Sequence, residues 1–257
     1  MKTNLKNIFG AGLFALAFSV GATAAAAAES CAVPPTCDSL GYTKTASDCQ
    51  DMSTLKCPFD TSKVFCVSAD ELPTGSCGTP EVGDILYSDM SCSTDVVKGK
   101  RAIGVIFDPS RRLALALVSA TKVWSTEYFD IPGLANQSTA TGDFDGKNNT
   151  KTIIDYCKAN SKSCPAAEYA YAHSTVGTKA GDWYLPALGE LNLIYSRKGT
   201  LNPVLSTLGA DTLSDSYHWS SSERSYSSAW AQYFYNGKVS LTNYKDDTNY
   251  VRPVLAF

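Results

Sequence analysis

From Trp230 to Tyr235 hydrophobic and polar side chains alternate with period two, which sends Trp230, Gln232 and Phe234 to one face of a strand and Ala231, Tyr233 and Tyr235 to the other. Asn236-Gly237 follows, and both residues tolerate positive φ. The pair predicts a hairpin from which residues 238–241 return antiparallel, with Val239 inward. Residues 251–255 form a closing strand in which Pro253, having no amide hydrogen, marks an edge or an end. Upstream, residues 83–87 read as a short strand. The apolar runs 101–107 and 113–119 read as strands joined by a turn at Asp108-Pro109-Ser110-Arg111. At Leu188, Leu191 and Ile194/Tyr195 the period becomes that of a helix, entered through Asp182-Trp183-Tyr184-Leu185-Pro186. Another helix is predicted over 150–159, and residues 199–216 read mostly as loop.

The amino terminus has a different character. Lys2 and Lys6 precede an apolar run over 8–20 and a small-residue stretch over 22–28, the layout of a cleavable export signal. The apolar run is shorter than the ~20 residues of a membrane span, so cleavage is expected after Ala28 and no span remains. Cys31 would then lie near the new terminus, but Glu29 fits a lipidation signal badly.

Export accounts for the nine cysteines, all outside the signal, as disulfide formers. No C-x-x-C pair occurs and only His173 and His218 could join a zinc site, so no metal is expected. The odd count leaves one thiol over. Six cysteines (Cys31, Cys37, Cys49, Cys57, Cys66 and Cys77) crowd residues 29–78, a stretch too small to build much core without staples. Pro73, Gly75, Gly78 and Pro80 mark a linker. The expected organisation is a signal over 1–28, a Cys-rich module with linker over 29–78, and a domain over 79–257. Cys77 and Cys92 bracket the first strand of that domain and could pair across it. Cys157 and Cys164 are expected to close the end of the 150–159 helix.

A formal net charge of −3 with no basic stripe argues against nucleic acid as a partner. The oxygen-rich loop at 143–150 lacks the carboxylates and closing bidentate Glu of an EF-hand, and reads as an Asx-turn and N-cap.

Six tyrosines, seven serines and three asparagines fall between Tyr217 and Tyr250, among Trp219, Trp230 and Phe234. Tyr supplies rigid amphipathic contact area while Ser and Asn adapt their hydrogen bonds, as in surfaces that change partners. An ordinary Tyr/Ser-rich sheet has the same composition, and composition leaves both open.

The run W-S-S-S-E at 219–223 is followed in order by Ala229-Trp230, Phe234, Asn236-Gly237, Val239, Lys245 and Val251-Arg252-Pro253-Val254. Upstream stand D-G-K-N-N-T at 145–150 and D-W-Y-L-P-A-L-G-E-L at 182–191. With these motifs the chain from about residue 81 onward resembles the Lcl C-terminal domain family of bacterial exported proteins. The resemblance implies an α+β, C-type-lectin-like domain with antiparallel sheets and two helices, on a branch shared with formylglycine-generating enzymes. It departs from the family at Ala187, where Ser or Thr would complete a capping box with Glu190, at a cost of about 1 kcal/mol.

Some members with this carboxyl-terminal ending resemble variable proteins of diversity-generating retroelements. That implies fixed anchors at Trp219, Ser221, Glu223, Ala229, Trp230, Phe234, Gly237, Val239, Lys245, Val251 and Arg252, with exchangeable positions between them.

The expected function is therefore an exported adhesin- or receptor-like protein whose partner is a protein or glycan on another cell or surface. The ligand-binding face is expected at Tyr217, Arg224, Ser225, Tyr226, Ser228, Tyr233, Tyr235, Ser240, Thr242, Tyr244, Asp246 and Asp247. Trp219, Trp230 and Phe234 are assigned to the core, His218 to the face as a contact or bystander, and Arg252 to a pair with Glu223. A structural pilus or stalk-tip part is the alternative. An enzyme is not expected: no cysteine follows Cys164 to supply a reactive pair, and the serines at 220–222 sit in no G-x-S-x-G elbow. The E-P-N, Q-P-D and W-N-D signatures of calcium-dependent lectins are absent. No cofactor is expected.

Overall fold

The computed structural model describes residues 53–56, 64–67, 76–134, 140–240 and 243–257. The expected export signal, the first four cysteines, residues 71–75 at the start of the expected linker and Thr242 lie outside the described residues. The chain divides into two compact units, Met1–Ser68 and Ala69–Phe257. In the first, β1 (Ser53–Lys56) pairs antiparallel with β2 (Val64–Val67), Thr54 opposite Cys66.

The second unit is α+β. Its strands are β3 (Ile85–Tyr87), β4 (Cys92–Ser93), β5 (Ala102–Asp108), β6 (Leu113–Ala116), β7 (Ala120–Val123) and β8 (Trp183–Tyr184), then β9 (Tyr217–Ser225), β10 (Ser228–Tyr233), β11 (Lys238–Ser240), β12 (Thr248–Val251) and β13 (Val254–Ala256). The helices are α1 (Gly146–Ala159), α2 (Pro165–Ala172), α3 (Leu188–Ser196) and α4 (Lys198–Thr207). One sheet runs β11-β10-β9-β12-β7 and the other β4-β3-β5-β6-β13-β8. The paired strands are antiparallel except β9 and β12, which meet parallel at His218 and Tyr250.

Two expectations are corrected here. The described residues contain four helices rather than two, because residues 165–172 form α2 and residues 198–207 of the expected loop fold as α4. Its Leu201 and Leu205 are buried one turn apart beside Leu191 and Ile194 of α3, and this shared core outweighs the cost of Pro203 within the helix. The closing strand is also two strands. Tyr250 and Val251 pair with β7 in the five-stranded sheet, whereas Val254 and Leu255 lie between β6 and β8 in the other. Arg252-Pro253 is the crossing point, and Pro253, which has no N–H for a ladder, accepts a hydrogen bond from Ala116 N at 2.9 Å.

The other elements follow the pattern in the sequence. β5 and β6 pair across the turn at 109–112. Both strands are buried on both faces, Val105 and Leu115 toward α3 and α4, Ile106 and Ala114 toward Trp183 and Leu255. Cys77–Cys92 and Cys157–Cys164 are disulfides. Trp219, Trp230 and Phe234 are buried.

The 143–150 loop is an Asx-type turn: Asp145 N donates to Asp143 Oδ1 at 3.0 Å and Asn149 Nδ2 to Asp143 Oδ2 at 2.9 Å. Asp145 precedes α1 without a side-chain cap bond. The helix begins four residues earlier than expected, at Gly146, whose missing Cβ would stand 2.3 Å from Glu190 Oε2. Ala187 supplies no side-chain cap to α3, yet half of the box survives, since Ala187 N donates to Glu190 Oε2 at 2.8 Å.

Candidate functional site

The β9–β10 ribbon is the frame on which the expected face has to be built. Ala231 opposes Trp219, and Ala229 opposes Glu223, so three residues of β9 (Ser220, Ser221 and Ser222) stand against Trp230 alone. This bulge turns the serines inward. Ser220 Oγ donates to Trp230 O at 2.7 Å and Ser222 Oγ to Asp143 Oδ2 at 2.7 Å, while Leu188 N donates to Ser222 Oγ at 3.0 Å. The serines therefore join β9 to the start of α3 and to the 143–150 loop.

Past the bulge, Glu223 enters the interior and meets Lys245, whose Nζ stands 2.5 Å from Glu223 Oε1 with both side chains fully buried. Lys245 Nζ also donates to Phe129 O and lies over the rings of Trp124 (4.7 Å) and Phe129 (5.3 Å). Glu223 Oε2 accepts from Ile131 N at 3.2 Å. The Lys245 backbone completes the arrangement: its carbonyl accepts from Trp124 N and Ser125 N, and its N–H donates to Ser227 O. One ion pair thus fastens three loops, at 124–131, 225–228 and 243–247. Burial pushes the Glu223 carboxyl up and the Lys245 ammonium down, and their mutual contact draws each back toward its charged form.

Glu223 is therefore paired with Lys245 and not with Arg252. The Arg252 guanidinium is buried beneath the sheet crossing, where it donates to the carbonyls of Ala116 (2.9 Å), Asp211 (2.7 Å) and Thr212 (3.2 Å). Its position between two sheets, far down the chain from the end of β9, leaves only backbone acceptors within reach. Burial lowers its pKa to about 10.

Above the Lys245–Glu223 pair three tyrosines emerge from the three loops. Tyr128 is 37% exposed, Tyr226 57% and Tyr244 52%. The Tyr128 ring lies 6.3 Å from Tyr226, edge to face, and 6.4 Å from Tyr244. Tyr128 Oη donates to Asp246 Oδ1 at 2.6 Å, and this bond pushes the phenol up to about 12. Asp247 Oδ2 accepts from Tyr244 N at 2.8 Å and holds the 244–247 turn. Lys162 pairs with Glu127 at 2.9 Å beside this group, and the half-buried Arg224 lies over the Trp230 ring at 5.6 Å.

The expected face divides in two. Tyr226, Tyr244, Asp246 and Asp247 gather at the loop end of the ribbon, with Arg224 and Ser225 half-buried beside them. Tyr217, Tyr233 and Tyr235 gather at the other end, Tyr217 stacked on Tyr233 at 4.7 Å and Tyr235 70% exposed. The length of β9 separates the groups by roughly 27 Å at about 3.4 Å per residue. Tyr235 also borders a shallow groove of about 560 Å³ with Lys198, Asn202 and Asp215.

Three members of the expected face are buried. Ser228 is covered because the 243–247 turn folds back over β10 and bridges to it at Tyr244. Ser240 is buried where β11 pairs with Ala231. His218 is an interior residue, stacked on Phe234 at 3.9 Å and Tyr250 at 5.3 Å, and burial lowers its pKa to about 3. Its Nδ1 donates to Ser216 O at 3.0 Å as the neutral ring. His173 is likewise held down, to about 4, by burial.

The hairpin after β10 spans residues 234–237 rather than two residues. Only Gly237 has positive φ (+76°), and Gly237 N donates to Tyr233 O at 2.7 Å. Sequence reading missed Tyr128. It lies in an irregular loop about a hundred residues before Tyr226, and its one local signal is the aromatic cluster Trp124, Tyr128 and Phe129.

Among the described residues no group of three or more His, Cys, Asp or Glu is placed to hold a metal ion, and no helix is long and apolar enough to cross a membrane. No protein-family model matches the chain, and no curated protein matches it. A solved fimbrial protein from Bacteroides ovatus ATCC 8483 superposes with a TM-score of 0.57 at 18% identity, over 69% of this chain and 49% of that one. The likeness is one of fold. The chain spans about half the length of that structure.

Proposed function

We propose that this chain is an exported bacterial surface protein that binds a ligand through the loop end of the β9–β10 ribbon. The observation that carries the reading is the tyrosine cluster of Tyr128, Tyr226 and Tyr244, presented by three loops over one buried ion pair. Exposed aromatics on a rigid base lose little conformational entropy on contact, which is the economy of a binding surface. The disulfides are compatible with an oxidising compartment, and a fimbrial structural neighbour is compatible with a surface role.

The scaffold is read as a C-type-lectin-like domain of the Lcl C-terminal type, and the exposed positions as those that a diversity-generating retroelement would rewrite. Nine of the eleven anchors implied by that resemblance, all but Gly237 and Val239, are buried, which supports the division into skeleton and exchangeable tips. A binding rather than catalytic role is supported by the burial of Ser220, Ser221, Ser222 and His218.

The test measures adhesion of the purified protein to bacterial and host cells and to a glycan array in EDTA, beside the variant Tyr226→Ser/Tyr244→Ser. The expected result is saturable, calcium-independent adhesion that the variant loses. Adhesion unaffected by the variant, or no adhesion to any surface, rejects the assignment. For diversification, the decisive observation is genomic: a reverse transcriptase and a near-copy of the 3′ coding end, differing at adenines. The fimbrial neighbour also favours a second reading, a pilus or stalk-tip subunit, which immunogold labelling along or at the tips of surface fibres would support.

A further inference from the structure

The tyrosine cluster carries a definite charge as well as a shape. Tyr128 is the ring that both other tyrosines approach, and the faces of all three are electron-rich. Asp246 and Asp247 stand exposed beside them. Each spends one oxygen on the scaffold, Asp246 on the Tyr128 hydroxyl and Asp247 on the Tyr244 amide.

The cations of this region are engaged elsewhere. Lys245 is buried against Glu223, Lys162 pairs with Glu127, and Arg224 lies over Trp230. Among the described residues no lysine or arginine forms an ion pair with Asp246 or Asp247. The cluster is therefore an aromatic surface with two unneutralised carboxylates at its edge, which is electrostatically complementary to a cation.

We infer that the Tyr128–Tyr226–Tyr244 cluster with Asp246 and Asp247 binds the guanidinium or ammonium group of a basic side chain on a protein partner. This rests on the binding reading above and adds the chemistry of the ligand. Arginine suits the geometry best. Its planar group can lie on a tyrosine face while its edge donates to a carboxylate, and it is more weakly hydrated than an ammonium. A neutral glycan would use the rings and donate hydroxyl hydrogens to the carboxylates, but would leave their charge unneutralised.

Fluorescence anisotropy of the full chain with fluorescein-labelled acetyl-(Gly-Arg)4, acetyl-(Gly-Lys)4 and acetyl-(Gly-Glu)4 tests this. Saturable binding is expected for the Arg peptide, weaker binding for the Lys peptide and none for the Glu peptide. Asp246→Asn/Asp247→Asn should weaken the Arg peptide about tenfold, and Tyr226→Ala/Tyr244→Ala about fivefold or more. Glu81→Gln/Asp95→Asn removes the same charge from exposed positions elsewhere and should leave binding unchanged. The inference is overturned if the Arg peptide shows no saturable binding, if the Glu peptide binds as well, or if the control variant loses as much affinity as the aspartate variant. If the cell and glycan adhesion described above persists and still depends on Tyr226 and Tyr244, the binding face stands and only its preference for cations falls.

Discussion

Lys245 Nζ stands 2.5 Å from Glu223 Oε1 with both side chains fully buried. Desolvating two charges is costly, and only the full set of partners offsets it. Removing one partner leaves the other buried and uncompensated. Glu223→Leu or Lys245→Met alone should therefore destabilise the domain by roughly 3–5 kcal/mol, whereas the double replacement Glu223→Leu/Lys245→Met should cost much less than the two summed. Urea denaturation of the four proteins closes the cycle. Additive losses would show that the pair does not act as a unit.

Glu190 makes stability depend on pH in an unusual direction. Burial raises its folded-state pKa from 4.5 to about 8, so the folded protein holds a proton that the unfolded chain has lost across that interval. The contribution is complete below pH 4.5, shrinks as pH rises and is gone above 8, on the order of a few kcal/mol in all. His218 acts oppositely. Its folded pKa of about 3 lies under the ordinary 6.5, so its contribution is present above pH 6.5 and is lost as pH falls toward 3. Thermal unfolding across pH 3–9 should show both limbs. Glu190→Gln keeps an acceptor for Ala187 N and should flatten only the alkaline one.

The Cys157–Cys164 disulfide closes a short loop between α1 and α2, with a sequence separation of 7. Chain-entropy reasoning for so small a loop gives about 2.5 kcal/mol. Cys157→Ala/Cys164→Ala should lower stability by at least that amount, since both cysteines are also packed in the core with Ile153 and Ala167. A denaturation midpoint unchanged from wild type would mean that packing alone fixes the junction.

At Gly237 two constraints coincide. Its φ is +76°, and an added Cβ would stand 2.3 Å from the Tyr195 ring. Gly237→Ala should cost about 2 kcal/mol or more and disturb the edge-to-face contact of Tyr195 with Phe234. Near-ultraviolet circular dichroism and denaturation report both effects. The neighbouring Asn236→Ala, at a residue outside the positive-φ region, should be milder.

Local signals carried much of this architecture. The alternation at 230–235, the paired apolar runs that became β5 and β6, and the cysteine spacings each state a short-range geometry, and short-range geometry is what sequence patterns encode. α4 was hidden because Gly199, Asn202 and Pro203 argue locally against helix, while the burial of Leu201 and Leu205 that overrides them depends on α3. The division of the closing strand was hidden because both halves look like strand, and only the sheet each joins distinguishes them. Exposure at the loop end was legible for Tyr226, Tyr244, Asp246 and Asp247, which lie on turns. Ser228 and Ser240 resemble surface residues in composition, but Ser228 is covered by the 243–247 turn and Ser240 is buried within the β10–β11 pairing. Tyr128 joins these exposed residues through a hydrogen bond to Asp246 that no local pattern announces.

A single buried ion pair beneath three separate loops separates heritable shape from disposable detail. The exposed rings of Tyr226 and Tyr244 hold little of the fold, and Asp246 and Asp247 brace only their own loops, so a lineage could replace them one at a time and keep a folded protein at every step. Glu223 and Lys245 have no such latitude. Mutational tolerance should therefore change abruptly over a depth of one side chain, from nearly free at the tips to nearly none at the pair beneath them.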